Sequence, residues 1–377
     1  MSNLKRFSGK RVVWLQSPPW NTLWTRQNHF AMRMADEGAE ILYVENSPSL
    51  LNRVRNFDLV PRTKDVYPGI TSLKLLPPLP GGAKHILPLK INAFMNSAIV
   101  NRWLFEHKWH KYDAWCRIPQ SAELIEHISP DRVFFDVTDD YRHFYAKAKQ
   151  VEHISALQKR LVDRSYQIFT TTESLRAAIA EVGGSSSCIT VVPNGVASNF
   201  FDSNRESNPL SNIPRPRIGY VGLIAEWVDL ELLSRVASEW PGQTVSVGPV
   251  KSELAERYNA IPGLIRIPSV PYNEVPDYIH DFDVCIIPHK VNELQHGADL
   301  IKINEYLASG KPVVCTALRQ AMLMQPEISI AFDAGHFISL IRENAAETSG
   351  SQDARVKRAS ERTWDRLFEI VASKFLI

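Results

Sequence analysis

Short apolar runs alternate with longer amphipathic stretches along the whole chain. RVVWLQ, ILYVE, SLKLL, RVFFDV, YQIFTT and ITVVP punctuate the first half, and RIGYVG, TVSVG, LIRIP, DVCIIP and PVVC the second. Runs so short and so continuously apolar read as strands covered on both faces. Between them, apolar residues recur at helical spacing over 27–37, 152–163, 229–239, 273–280 and 299–309. Strand and helix in alternation predict an α/β fold of doubly wound parallel sheets.

One segment breaks the rhythm. FDSNRESNPLSNIPRPR, 201–217, is rich in Asn, Ser and Pro and has no apolar period, so it reads as a linker. At 377 residues the chain exceeds one ordinary core. The expected organisation is a first domain at 1–200, a linker at 201–216, a second domain at 217–350 and a terminal helix within 351–377. In open α/β sheets ligands bind at the carboxyl ends of strands, and paired domains commonly hold substrate in a cleft between them.

Composition narrows the function classes. A net charge of +2 is too small to predict a nucleic-acid partner. The four cysteines are widely separated, with no CxxC pair, which predicts buried free thiols in a reducing compartment rather than zinc or disulfides. The apolar run at 12–15 is too short for a signal peptide, and no window approaches the roughly 18 apolar residues of a membrane span. A cytoplasmic protein is expected, with surface attachment to a membrane left open.

Five stretches could carry chemistry. In DLIKINEYLASGKPVVC, Leu300, Ile303 and Leu307 take one helical face, and Lys302, Glu305 and Ser309 another. A lysine at a helix start opposes the macrodipole. Lys302 and Glu305 form either an exposed i, i+3 pair worth about 0.2–0.5 kcal/mol, or part of an anion site with the helix amides near Asp299. SGKPVV is not a phosphate loop, because proline follows the lysine and the order is helix then strand. IGYVGLIAE lacks the third glycine of a dinucleotide fingerprint, yet Gly222 ends a strand where backbone can approach a ligand. His289 closes the DVCIIPH strand, as a structural histidine or a phosphate or sugar contact. In FFDVTDDYRHF, Asp139 and Asp140 follow a strand and could serve as an acceptor-side base, a metal pair or a helix cap. In SPPWNTLWTRQNHF, Trp20, Arg26 and His29 could line an acceptor pocket or be core. VVPNGV, at 191–196, is chiefly a turn signal.

VVPNGVASNFF, RIGYVGLIAEWVDLELL and HGADLIKINEYLASGKPVVCT, in this order, resemble the GT-B glycosyltransferases of the family-4-like group, in particular teichuronic-acid and exopolysaccharide transferases. RVVWLQSPPWNTLWTRQNHFAMRMADEGAEILYVE resembles the opening of that group, so the likeness spans nearly the whole chain. The resemblance implies two Rossmann-like domains facing across a cleft, an acceptor-binding first half, a nucleotide-sugar-binding second half and a last helix returning to the first. It implies no bound metal and no cofactor. Glu305 matches the second glutamate of the family's donor motif, while Gly297 stands where the first would be. Leu223 and Val228 or Asp229 stand where the usual arginine and lysine would clamp the diphosphate. Lys302 matches the lysine of a K-x-x-E-Y variant and is the replacement cation.

The implied reaction moves a sugar from a nucleotide diphosphate, UDP by family frequency, to a glycan or lipid-linked hydroxyl in surface polysaccharide synthesis. Asp139 is the catalytic candidate, and Gly222, His289, Asp299, Lys302 and Glu305 are the donor candidates. Trp20, Arg26, His29 and Asp140 are placed on the acceptor side. LKINAFMNSAIVNRWLFEHKWHKYDAW, with Trp103, Phe105 and Trp109 among basic residues, suits either a membrane interface or an ordinary amphipathic helix. A nucleotide-sugar epimerase and a non-catalytic scaffold are the rival readings.

Overall fold

The structure, a computed structural model, describes residues 5–20, 24–46, 60–77, 79, 86–145, 147–203, 207–346 and 351–377. Parts of the Trp-rich loop (21–23) and of the Asn/Ser/Pro-rich stretch (204–206) therefore lie outside the described residues. The chain divides into two compact units, Met1–Val192 with Phe368–Ile377, and Pro193–Leu367. The passage between them comes ahead of the Asn/Ser/Pro-rich stretch, which belongs to the second unit.

The first unit holds β1 (Arg11–Ser17), β2 (Glu40–Glu45), β3 (Arg62–Tyr67), β4 (Ile70–Lys74), β5 (Asp113–Cys116), β6 (Val133–Val137), β7 (Gln167–Thr170) and β8 (Ile189–Val191). Their order in the sheet is β3-β4-β2-β1-β5-β6-β7-β8, and only the β3–β4 pairing is antiparallel. Strand order reverses between β1 and β5, which opens a crevice at their carboxyl ends. Successive residues of β1 face opposite layers. Val13 and Leu15 enter one core cluster, while Trp14 stacks on Trp115 at 4.5 Å between ring centroids.

The second unit holds β9 (Ile218–Val221), β10 (Thr244–Val247), β11 (Leu264–Ile267), β12 (Val284–Ile287), β13 (Val313–Thr316) and β14 (Ser329–Ala331). They are ordered β11-β10-β9-β12-β13-β14 and all are parallel, with the reversal between β9 and β12. Gly219 lies against the Phe282 ring, which a Cβ there would meet at 2.1 Å. A side chain at this point of β9 would evict that ring from the core.

The predicted helices form with small shifts: Arg26–Asp36, Ala148–Arg164, Leu230–Glu239, a 3-10 turn Tyr272–Glu274 leading into Val275–Asp281, and Ile301–Ala308. The second half's first helix starts where Asp229 accepts hydrogen bonds from the Glu231 and Leu232 amides. β3, β5 and β14 had no sequence signal, the first because RTKDVY is a polar edge, the others because they are only three or four residues long.

The expected terminal helix is two helices, Gln352–Ser360 and Trp364–Phe375. The break has a backbone cause. The Val196 amide donates to the Arg362 carbonyl and the Trp364 amide to the Val196 carbonyl, which removes 362–364 from a helical ladder. Cys116, which ends β5, and Cys285 and Cys315 are buried as expected, whereas Cys188 sits half-buried in a 3-10 turn; all four thiols are free.

Candidate functional site

In the second unit, four candidates gather where β9 and β12 part. β9 ends at Val221, and Gly222 turns the chain at φ +145. A Cβ on Gly222 would lie 3.1 Å from Lys302 Cε and 3.2 Å from Nζ, so the glycine is what admits the lysine. Lys302 stands in the first turn of Ile301–Ala308, with Nζ 5.3 Å from the centroid of the Tyr220 ring. Among the described residues the ammonium has a ring beside it and no hydrogen-bond or ion-pair partner. Burial lowers its pKa, while the Glu305 carboxyl draws it back up.

Glu305 lies one turn on, buried, and accepts a hydrogen bond from the Tyr272 hydroxyl at 3.2 Å. Burial pushes its pKa up to about 7, against the pull of Lys302 and Tyr272. Lys302 and Glu305 are therefore not an exposed surface pair: Glu305 is buried and Lys302 half-buried, and burial favours the neutral form of each. The same helix buttresses the strand, since the Val221 amide donates to the Tyr306 hydroxyl at 2.8 Å.

His289 follows β12 and is buried, its Nδ1 3.0 Å from Gln295 Oε1. With Nδ1–H donating to that oxygen, Nε2 keeps a lone pair, and it is buried without a partner among the described residues. Burial, reinforced by the Lys302 charge, holds the ring pKa well below its ordinary value. His289 is thus a neutral acceptor, better matched to a hydroxyl than to phosphate.

Asp299 is employed elsewhere. The helix starts after Leu300, and the Asp299 carboxylate accepts the Asn194 amide at 2.5 Å and faces Arg362 at 3.6 Å. Asn194 Nδ2 donates to the Asp299 carbonyl, and Asn304 Nδ2 to the Asn194 carbonyl. The VVPNGV turn is in this way pinned to the helix that carries Lys302.

In the first unit the acceptor-side candidates separate into core and edge. Arg26 Nε donates to Asp136 at 3.0 Å, and Gln27 Nε2 to the same oxygen at 2.8 Å. Arg26 and Asp136 are 2% and 0% exposed, so this is an interior ion pair. His29 is also buried, its pKa lowered to about 3 by burial and by Arg33. Trp20 packs edge-on against Tyr43 at 5.0 Å and is buried.

The edge group follows β6. Asp140 caps the 3-10 turn Tyr141–Phe144 and is held by Arg142; burial raises its pKa, but those hydrogen bonds outweigh it and the net shift is down. Among the described residues Asp139 accepts only the Thr138 hydroxyl, at 2.8 Å, and burial pushes its pKa up, with Arg117 opposing and Asp140 assisting. A carboxyl so raised and so lightly bonded can take a proton from a hydroxyl.

Arg117, immediately after β5, escaped the sequence reading because DAWC is too short to announce itself as a strand. Once β5 is placed, the RIPQ loop stands at the sheet's crevice. Among the described residues no group of three or more His, Cys, Asp and Glu side chains is arranged to hold a metal.

No family model matches the chain. TuaH of Bacillus subtilis (strain 168), which carries the provisional name of teichuronic acid biosynthesis glycosyltransferase, is 25% identical over a match covering 67% of this chain and 69% of that protein. Among solved structures, sucrose-phosphate synthase from Thermosynechococcus elongatus matches at TM-score 0.72 and 13% identity over 97% of this chain and 98% of its own. Anabaena HepE in complex with UDP and glucose matches at 0.70 and 13%, over 97% and 99%. A UDP-forming trehalose-phosphate synthase from Burkholderia xenovorans matches at 0.67 and 13%, over 97% and 98%. The fold is that of the GT-B glycosyltransferases, and the chain is similar in sequence to a protein named as a glycosyltransferase. The resemblance carried by VVPNGV, RIGYVG and EYLASGKPVV is borne out, and the relative that gives it a sequence counterpart is TuaH.

Proposed function

We propose that the chain transfers a sugar from a nucleoside diphosphate donor, UDP foremost, to a hydroxyl of a glycan or lipid-linked acceptor in surface polysaccharide assembly. The observation that carries the proposal is Lys302, an ammonium without a hydrogen-bond or ion-pair partner among the described residues, admitted by a left-handed glycine to the crevice of a doubly wound sheet. Such a crevice is where this topology binds nucleotides. UDP in the complexes of HepE and the UDP-forming synthase supports the choice of base.

On this reading Lys302 neutralises charge as the bond from the anomeric carbon to the diphosphate oxygen breaks and the electron pair leaves with the diphosphate, without metal or cofactor. Gly222 lets backbone approach the phosphates, Glu305 accepts from the ribose, and His289 Nε2 accepts from a sugar hydroxyl. Asp299 positions the helix through Asn194. On the first unit, Asp139 is offered to the acceptor hydroxyl, whose oxygen forms the new bond while its proton departs.

No described helix is long and apolar enough to cross a membrane. A peripheral position on the cytoplasmic face is supported by the helix Ile86–Glu106, which exposes Leu87, Ile91, Phe94, Met95 and Phe105 beside Lys90 and Arg102. Trp103 and Trp109 take no part, being buried.

Calorimetry with UDP-, GDP- and dTDP-sugars, run with and without EDTA, tests the donor assignment. Saturable, EDTA-insensitive binding of one nucleotide class is expected. Absence of binding by all three would leave the non-catalytic scaffold, and conversion of the donor with no acceptor present would leave the epimerase.

A further inference from the structure

β5 lies between β1 and β6, with Cys116 opposite Leu15 on one side and Phe135 on the other. The residue after Cys116 therefore emerges between the ends of those two strands, at the point where strand order reverses. That residue is Arg117. The loop it opens runs into the helix Ser121–Ile128 and is tied to the end of β1 by Ser121 Oγ, which donates to Gln16 Oε1 at 2.7 Å.

Among the described residues the buried arginines have acceptors. Arg26 reaches Asp136 and the Val192 carbonyl, Arg217 the Ile213 carbonyl and Asp281, and Arg355 the Gly310 carbonyl. Arg117 has no hydrogen bond or ion pair among the described residues, and its Nε is buried without an acceptor. The charges and phenols that act on it are Tyr141, Asp139, Tyr43 and Asp136. Asp136 Oδ2 accepts from Arg26 and Gln27 while its Oδ1 is buried without a partner, and among the described residues Asp139 is bonded only to Thr138. Gln120, in the same loop, gives its amide N–H to Tyr145 at 2.8 Å and keeps Oε1 buried and without a partner.

The Arg117 guanidinium is half withdrawn from water and its charge is favoured by acids and phenols that do not hydrogen-bond it, so its planar fork is left to be completed by paired oxygens of a carboxylate or phosphate. Open valences of the cluster at Asp139, Gln120 and Asp136 Oδ1 are oxygen acceptors, which fit hydroxyl donors, and the Tyr43 hydroxyl is a further unpartnered group beside them. Cation fork and hydroxyl acceptors together describe a hydroxylated molecule carrying an oxyanion.

We infer that Arg117 receives the carboxylate or phosphate of an anionic sugar acceptor, whose hydroxyls bond to Asp139 and Gln120. The inference rests on the glycosyltransferase reading, because it names the acceptor class of that enzyme. It makes the acceptor half selective for charge and places the reacting hydroxyl beside the carboxyl that could take its proton.

The test is binding of glucuronate, inorganic phosphate and glucose to wild type, Arg117→Gln and Arg117→Lys, each with and without saturating UDP. At least one anion should bind wild type saturably with UDP present, about tenfold more weakly to Arg117→Gln, and at intermediate strength to Arg117→Lys. Glucose should not distinguish the three proteins. Glucuronate alone responding identifies a sugar acid, phosphate alone a sugar phosphate. Without ligand, Arg117→Gln should melt within a few degrees of wild type, since among the described residues Arg117 has no hydrogen-bonded partner to lose. Equal anion affinity in wild type and Arg117→Gln, no saturable anion binding by wild type, or a melting temperature several degrees lower in Arg117→Gln would each overturn the inference. UDP failing to bind any of the three proteins would instead sink the donor assignment, leaving the anion comparison readable from the arms without UDP.

Discussion

Lys302 holds its ammonium over the ring of Tyr220, 5.3 Å from the centroid, while the Tyr220 hydroxyl donates to the Leu223 carbonyl at 3.2 Å. The ring steadies the charge without satisfying its three N–H donors. Lys302→Ala should therefore weaken nucleotide-sugar binding about ten- to a hundredfold, the loss of a charge-assisted hydrogen bond, with little change in melting temperature. Calorimetry on the folded variant checks this, and unchanged affinity would remove Lys302 from the donor site.

Gly222→Ala combines two costs. Its φ of +145 is unfavourable for any side chain, and the new methyl would crowd Lys302 Cε and Nζ. A stability loss of about 1–3 kcal/mol in urea unfolding is expected, with weaker donor binding as the lysine is displaced.

The Glu305 carboxyl carries a pH signature. Below pH 4.5 it is protonated in folded and unfolded chains alike, and its contribution is fully present. Between 4.5 and about 7 the unfolded chain releases a proton that the folded chain retains, so stability falls as pH rises. The loss is complete above about 7 and amounts to about 3 kcal/mol. Urea midpoints at pH 4.5 and 7.5 should diverge more in wild type than in Glu305→Gln; equal divergence would mean that the carboxyl is not raised.

Arg26 and Asp136 are predicted to act as a structural pair. Arg26→Met should destabilise the first unit by about 3–5 kcal/mol, because it leaves Asp136 charged and buried, and Arg26→Met with Asp136→Leu should recover much of that loss. Thermal unfolding of the single and double variants decides. An Arg26→Met protein with wild-type melting temperature and impaired acceptor saturation would make Arg26 a substrate contact.

The helix Ile86–Glu106 offers Phe94 and Phe105 at 65% and 79% exposure. Each buries enough apolar area at an interface that Phe94→Ser and Phe105→Ser should each lower partitioning onto anionic vesicles about tenfold. Flotation that is indifferent to both changes would argue against membrane attachment through this face.

Much of this architecture was legible in the chain because parallel strands covered on both faces print continuous apolar runs. RVVWLQ, DVCIIP and PVVC could scarcely be anything else. DAWC was not legible: a strand of four residues carries no period, and its neighbour Arg117 was lost with it. Lys302 and Glu305 were visible as a pair, but their spacing could not tell an exposed helix face from an interior one. That depended on Gly222 and Tyr272, residues far away in sequence. Trp20, Arg26 and His29 looked like pocket residues for the reason that makes them good core: large aromatic bodies and groups able to find buried partners. The fate of Asp299 could not be read locally either, since its amide partner lies at Asn194.

The hydroxyl that Tyr306 lends to the Val221 amide changes how the end of β9 should be monitored. β12 pairs with β9 only as far as Cys285 and Gly219, so beyond that point the amide's acceptor belongs to a helix side chain. Exchange of the Val221 proton with deuterated solvent would then time the lifting of the Lys302 helix rather than the fraying of the sheet, and a bound donor that clamps that helix would slow this one proton more than its neighbours along the strand.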